Sequence, residues 1–214
     1  MIRVLLTGFA PFDGASLNPS WEAARLAAAA PLDGFSLTAV ELPCVFGDSI
    51  AELYRQVARV EPDIVLAVGL ASGRTAVSVE RVAVNVDDAR IPDNAGNQPI
   101  DTPVVPGGPA AYFSTLPIKA CVEAVRAAGI PAEVSPTAGS YVCNHVFYGL
   151  MHLLATERPA TRGGFVHMPC APGQVLDGGL PCLPVPAVAE ALRLIAATTA
   201  TVDTDARLAA GTIH

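Results

Sequence analysis

Charge is scarce in this chain. Only 15% of its 214 residues are Asp, Glu, Lys or Arg, aromatic residues make up 6%, and there is one tryptophan. The 13 basic side chains form no cluster and the formal net charge is −7, which argues against a binder of phosphate backbones, so no nucleic acid partner is expected. Long apolar runs are also missing. The opening "MIRVLLTGFAPF" has only a short one before Thr7 and Gly8, so neither a signal-peptide core nor a membrane span is expected, and a cytoplasmic protein is. Five cysteines at 44, 121, 143, 170 and 182 are odd in number and form no C-x-x-C pair, favouring reduced thiols over a disulfide framework or structural zinc. The glycines of "TGFAPFDG" make no phosphate cradle, because neither G-x-G-x-x-G nor G-K-[ST] is present.

What is abundant is apolar: 51% of the residues are hydrophobic, enough to bury a substantial core as one domain over residues 1–214. "IRVLLTGF" reads as a buried strand ending at a glycine, followed by an alanine-rich helix "WEAARLAAAA" with Asn18, Pro19 and Ser20 at its start. A strand "SLTAVELP" and a helix from about Gly47 to Glu61 lead through Pro62 into "DIVLAVGL", a continuous apolar run suited to a strand covered on both faces. "TAVSVERVAVNVD" alternates as a further strand, and "DDARIPDNAGNQPIDTPVVPGGPAA" is a long polar stretch of the kind that is usually functional or disordered. A helix near "IKACVEAVRAAG", a strand "PAEVSPT", a helix "VFYGLMHLLATE", a strand "GGFVHMP" and a last helix around "PAVAEALRLIAATTA" complete the chain. This alternation predicts an α/β fold: a three-layer α/β/α sandwich around a mostly parallel, mixed twisted sheet, in which the strand holding Glu80 could run antiparallel. The tail "TVDTDARLAAGTIH" lacks an apolar period, and residues 198–214 are expected to be loosely held.

The stretch "TAGSYVCNH" places Cys143 where a polar turn gives way to a helix, with Ser140 as the expected N-cap and Cys143 at about the third helical position. Free backbone N–H groups and the helix dipole there favour a thiolate. A thiol attacking an acyl carbon needs an imidazole, and the chain has four histidines. His145 is two positions from Cys143 and points elsewhere, His152 falls on roughly the opposite face of the same helix, and His214 is C-terminal. His167, at the end of "GGFVHMP", is left, and strand ends and helix N-termini meet at one edge of such a sheet. The carboxylate to orient it is expected to be Glu80, which shares strand parity with Val82, Val84 and Val86 and needs a partner such as an imidazole, Arg81 or Arg90. Asp87, Asp88, Asp93 and Asp101 compete with it. Reading Cys143, His145, His167 and Cys170 as four metal ligands does not match common structural zinc spacings, so no metal is expected.

Together "TGFAPF", "NPSW", "ERVAVNVDDARIPDNAGNQPID", "AYFSTLPIK", "VSPTAGSYVCNH" and "GFVHMPCAPGQ" resemble the pyroglutamyl peptidase I family of cysteine peptidases, in order from residue 7 to about residue 174. The resemblance implies a catalytic triad of Glu80, Cys143 and His167, no cofactor, a cytosolic enzyme and commonly a homotetramer. It implies removal of an N-terminal pyroglutamyl residue from peptides through a thioester, with the backbone N–H of Cys143 and the side chain of Arg90 supporting the oxyanion. Phe9 and Phe12 would pack on the flat lactam ring, with Leu70, Tyr141 and Val142 also lining its site. Two departures stand out. Leu70 occupies the place where the family commonly has glutamine, and Tyr141 one where it often has phenylalanine. Leu70 motivates an alternative reading with weakened or altered N-terminal acyl specificity. A non-catalytic binding or assembly protein, and a thiol redox or metal protein, are the readings from other classes.

Overall fold

The structure, a computed structural model, describes residues 1–176 and 178–211. Its strands are β1 (Ile2–Phe9), β2 (Phe35–Leu42), β3 (Ile64–Leu70), β4 (Val77–Glu80), β5 (Val82–Val84), β6 (Ala111–Phe113), β7 (Ala132–Ser135) and β8 (Arg162–Met168). Its helices are α1 (Pro19–Ala29), α2 (Asp48–Val60), α3 (Ile118–Ala127), α4 (Val142–Glu157) and α5 (Val185–Thr201). Six strands form one sheet in the order β2-β1-β3-β8-β4-β7, and β5 pairs with β6 in a separate hairpin. β2, β1, β3 and β8 run parallel. β4 is antiparallel to β8 and parallel to β7, so the strand holding Glu80 does reverse direction within a mostly parallel sheet.

Both faces of the sheet are covered, which is why β1 and β3 are nearly uniformly apolar rather than alternating. Val4, Leu6, Leu66, Val68, Val77, Val79, Val166 and Met168 face one layer, packed against α1, α3 and α5. Leu5, Phe9, Val65, Ala67 and Phe165 face the other, with Leu53 and Val57 of α2 and Phe147, Leu150 and Leu154 of α4. No described helix is long and apolar enough to cross a membrane.

One sequence expectation is corrected here. The alternating stretch "TAVSVERVAVNVD" is two strands in different sheets, parted at Arg81, whose N–H bonds Ser135 O and whose carbonyl accepts from Ser114 N. Parity with Val82, Val84 and Val86 therefore says nothing about Glu80; its neighbour on the same face of β4 is Ser78. The long polar stretch is irregular yet tied down. Asp87 bridges Thr102, the Asn85 side chain bonds Val105 and Gly108, and Asp93 accepts hydrogen bonds from the N–H groups of Phe46, Ala95 and Asn97 and from the Asn97 side chain. Residues 198–201 complete α5, and the described part of the tail, through residue 211, is tied at Asp205 and Ala210. The Asp205 carboxylate caps α3 through the N–H groups of Lys119 (3.1 Å) and Ala120 (3.0 Å), and Arg81 bonds Ala210 O. His214 lies outside the described residues.

Candidate active site

β3 and β8 pair so that Gly69 lies directly opposite His167, and the two residues therefore share a face of the sheet. That is the face covered by α4. A Cβ placed on Gly69 would come within 2.9 Å of Cys143 Sγ and 2.8 Å of the Phe165 ring. The thiol thus lies over the strand end, above the residue paired with His167, and only glycine leaves room for it.

Sequence predicts this meeting but not its cause. β7, which precedes the cysteine helix, runs against β8, so the loop 136–141 must return the chain to the carboxyl ends of β3 and β8. α4 starts at Val142, making Cys143 its second residue rather than its third, and the N-cap is Tyr141, not Ser140. The Ser140 hydroxyl instead bonds Asp88 O at 2.9 Å, and Tyr141 OH bonds Pro92 O at 2.9 Å. These bonds strap the long loop along the start of α4. Asn144 completes the strap from inside: fully buried, it accepts from Val84 N and donates to Val84 O and Val86 O.

His167 Nδ1 lies 2.7 Å from Glu80 Oε1, and both residues are buried. An ionised carboxylate accepts only, so Nδ1 carries the proton and Nε2 presents a lone pair. No described protein group occupies Nε2 of His167. His145 looks similar, with Nδ1 at 2.7 Å from Asp87 Oδ2, but its Nε2 accepts the Gly47 N–H at 2.9 Å. That ring is saturated and holds α4 to the start of α2. His152 is engaged by Tyr112 OH at 3.0 Å and stacks on Tyr148. Of the competing carboxylates, Asp87 belongs to His145, Asp93 to its own loop, and Asp88 and Asp101 are exposed.

Glu80 has a cationic partner, but neither of those expected. Arg81 reaches Ala210 O, and Arg90 is exposed with no ion-pair partner among the described residues, so it pairs with neither Asp87 nor Asp88. Arg74 Nη2 sits 3.2 Å from Glu80 Oε1 instead. Sequence reading missed it because the loop between β3 and β4 has no period that aims a side chain.

The helix start does not dominate the thiol as expected. Burial pushes the Cys143 thiol well above the ordinary thiol range, with nearby Cys44 and Glu80 adding to the shift. Loss of water around the sulfur is the largest cause, and no Lys or Arg stands in the first turn of the helix to oppose it. The resting side chain is a thiol that must hand its proton to a base. Cys44, pushed up to about 12 by burial and then Asp93, is also a neutral thiol.

Beside the thiol opens a cavity of about 200 Å³, lined by Phe9, Phe12, Leu70, Tyr141, Val142 and Cys143. Its walls are mostly aromatic and aliphatic. Phe12 and Tyr141 stand with ring centroids 5.6 Å apart, and Phe46 meets Tyr141 edge-on at 5.3 Å. Cys44, Ser72 and Gln174 also line it and were not anticipated. Gln174 Oε1 accepts from Ala171 N at 3.0 Å, leaving its NH2 without a protein partner among the described residues. The four-ligand metal reading fails on geometry. His145 is held by Asp87 and Gly47, Cys170 Sγ turns to Ser72 Oγ at 3.5 Å, and among the described residues no three His, Cys, Asp or Glu side chains gather as a metal site.

A buried carboxylate-imidazole pair facing a half-buried cysteine beside a small apolar cavity is an arrangement found together with a whole-chain likeness. The sequence model for pyroglutamyl peptidase matches residues 2–203. A pyrrolidone-carboxylate peptidase of Streptomyces coelicolor is 60% identical, with 100% of both chains covered, and one from Pectobacterium carotovorum is 52% identical over the same coverage. The crystal structure of pyroglutamyl peptidase I from Bacillus amyloliquefaciens superposes with a TM-score of 0.95 at 45% identity, covering 97% of this chain and 99% of that one. A mutant pyrrolidone carboxyl peptidase from Pyrococcus furiosus gives a TM-score of 0.89 at 39% identity, covering 93% and 98%. With sequence and fold agreeing from end to end, this chain belongs to the pyroglutamyl peptidase family.

Proposed function

We propose that this protein is a cysteine peptidase that removes N-terminal pyroglutamate from peptides. The observation that carries the mechanism is the open Nε2 of His167, whose Nδ1 is committed to buried Glu80 while the Cys143 thiol lies over the neighbouring strand. Cys143 attacks the pyroglutamyl carbonyl carbon, and His167 Nε2 takes its proton. The resulting tetrahedral oxyanion is met by the N–H of Cys143 at the helix start and by Arg90, carried on the strapped loop. On collapse the C–N bond breaks and the imidazolium gives its proton to the departing amine. Water, losing a proton to the same nitrogen, then hydrolyses the thioester to free pyroglutamate and the thiol. Glu80 keeps the imidazole in one tautomer and offsets its positive charge in each half-reaction.

The cavity suits a flat, neutral lactam better than a charged amino terminus, since among the described residues no carboxylate lines it. Phe9, Phe12, Tyr141 and Val142 form its apolar walls. Leu70 supports a second reading, a shifted acyl preference, because an aliphatic chain cannot bond a lactam amide; the free NH2 of Gln174 supplies a donor in the same cavity. The family relationship supports a homotetramer of this chain, working in the cytoplasm as a single α/β domain without a cofactor.

The test is release of pyroglutamate and amine from pyroglutamyl-alanine by the protein and by Cys143→Ala. Release that disappears in the variant is expected. No release from folded, reduced wild-type protein refutes the reading.

A further inference from the structure

Arg74 lies outside the proposed triad, yet four of its surroundings converge on the chemistry. Its Nη2 approaches Glu80 Oε1 at 3.2 Å, the same oxygen that meets His167 Nδ1 at 2.7 Å. That nitrogen also donates to Thr137 O at 3.1 Å, in the loop that delivers Cys143 to the strand ends. Nη1 lies 3.5 Å from Glu133 Oε1 on β7, which in turn accepts at 2.8 Å from Ser78 Oγ, on the same face of β4 as Glu80 and two residues before it. The backbone is bent to make this possible: Arg74 N bonds Ala71 O across a turn in which Gly73 has φ +89°, a conformation costly for any residue with a Cβ.

Glu80 has no exposed surface, and its second oxygen, Oε2, has no hydrogen-bond partner among the described residues. A carboxylate so poorly solvated does not keep its charge on one imidazole N–H alone. Among the described residues, the titratable or charged groups around Glu80 include His167 on β8, Cys143 on α4, Glu133 on β7 and Arg74. Of these, Arg74 is the only fixed cation, and it is partly shielded from water.

We infer that Arg74 is a positioning residue of the triad: it holds Glu80 ionised and tethers the loop that leads into the Cys143 helix to the same carboxylate. The guanidinium serves both ends at once, joining the element that fixes the base to the segment that fixes the nucleophile. A lysine could supply the charge but not the divided fork of contacts to Glu80, Thr137 O and Glu133. This rests on the peptidase reading for its chemistry, though the ion-pair geometry does not.

The sign of the effect follows from charge. Activity requires Glu80 ionised, so removing a cation 3.2 Å away makes ionisation need a higher pH, and the acid limb of the activity profile moves up. The experiment compares wild type, Arg74→Met and Arg74→Lys in kcat/KM for pyroglutamyl-alanine against pH, and in the rate of Cys143 alkylation by iodoacetamide against pH, read at the Cys143 peptide by mass spectrometry. Arg74→Met is expected to lower kcat at neutral pH by about tenfold or more with KM little changed, and to raise the acid limb and the alkylation midpoint by roughly one pH unit. Arg74→Lys is expected to restore the pH midpoints while recovering kcat only in part. Arg74→Met with wild-type midpoints overturns the inference, whatever its rate.

Alkylation needs no substrate, so it separates the two claims. A wild-type protein that releases no pyroglutamate, but whose alkylation midpoint shifts on Arg74→Met, refutes the peptidase reading and upholds the network. Should Arg74→Met not fold, Arg74→Gln decides, since it keeps a side-chain donor toward Glu80 and Thr137 O but removes the charge. Its alkylation midpoint is expected to lie above that of wild type, and an unchanged midpoint overturns the inference.

Discussion

His145 and His167 hold buried carboxylates through Nδ1 at the same 2.7 Å, but only one ring is closed at both ends. His145 Nε2 is spent on the Gly47 N–H, whereas His167 Nε2 has no partner among the described residues. One pair staples two helices; the other keeps a ring nitrogen without a partner among the described residues, as the proposed proton transfer requires. In His167→Asn, kcat/KM is expected to fall by roughly 10³-fold, with a smaller stability loss than at His145 because Arg74 still partners Glu80. His145→Asn reverses that pattern, losing about 3 kcal/mol by stranding Asp87, as urea unfolding would measure. A His145 variant that unfolds like wild type but is inactive would exchange the two roles.

Gly69 is the tightest point of the site. Gly69→Ala would put a methyl 2.9 Å from Cys143 Sγ and 2.8 Å from Phe165. Displacing the sulfur by even an ångström is expected to cost about 100-fold in kcat, while overpacking costs about 1–3 kcal/mol of stability. Steady-state kinetics beside thermal unfolding distinguishes the two losses, and undiminished turnover would place the reacting sulfur elsewhere.

Leu70 and Gln174 share the cavity wall. Restoring an amide with Leu70→Gln is expected to lower KM for pyroglutamyl-alanine by roughly fivefold, the worth of about 1 kcal/mol for one hydrogen bond. Gln174→Ala, which removes the free NH2, is expected to raise KM by a similar factor. KM values that stay put in both variants would show that lactam recognition uses backbone groups alone.

Asp93 gives stability a pH dependence whose sign is fixed. Burial raises its carboxyl, but hydrogen bonds from the Asn97 side chain and from the N–H groups of Phe46, Asn97 and Ala95 outweigh that and hold it below the ordinary value of 3.8. The stabilisation is therefore complete above about pH 4 and is lost as pH falls through the lowered folded value. Asp93→Asn is expected to lose about 1–3 kcal/mol at pH 7 and to flatten the decline of the melting temperature below about pH 4. An unchanged decline would assign the acid sensitivity to other groups.

Much of the fold is written in local patterns. β1 and β3 are legible because a strand buried on both faces must be continuously apolar, and Phe147, Leu150 and Leu154 mark α4 by their spacing. The break at Arg81 is not legible, because alternation continues across it while the chain changes sheet. The outlook for Cys143 was also incomplete. Its place at a helix start is visible locally, but the burial that keeps it a neutral thiol depends on Gly69, Phe165 and the loop packed over α4.

By itself, the sequence determined the α/β layering, the cysteine at a helix start, and the short list of histidines and carboxylates able to serve it, because side-chain chemistry and periodicity are properties of neighbours along the chain. Only tertiary structure decided among them. Whether Nε2 of a histidine is free, which arginine reaches Glu80 across a turn, and which residue crowds the sulfur are distances between segments as much as 100 residues apart, and they exist only once the sheet has brought its strands into register.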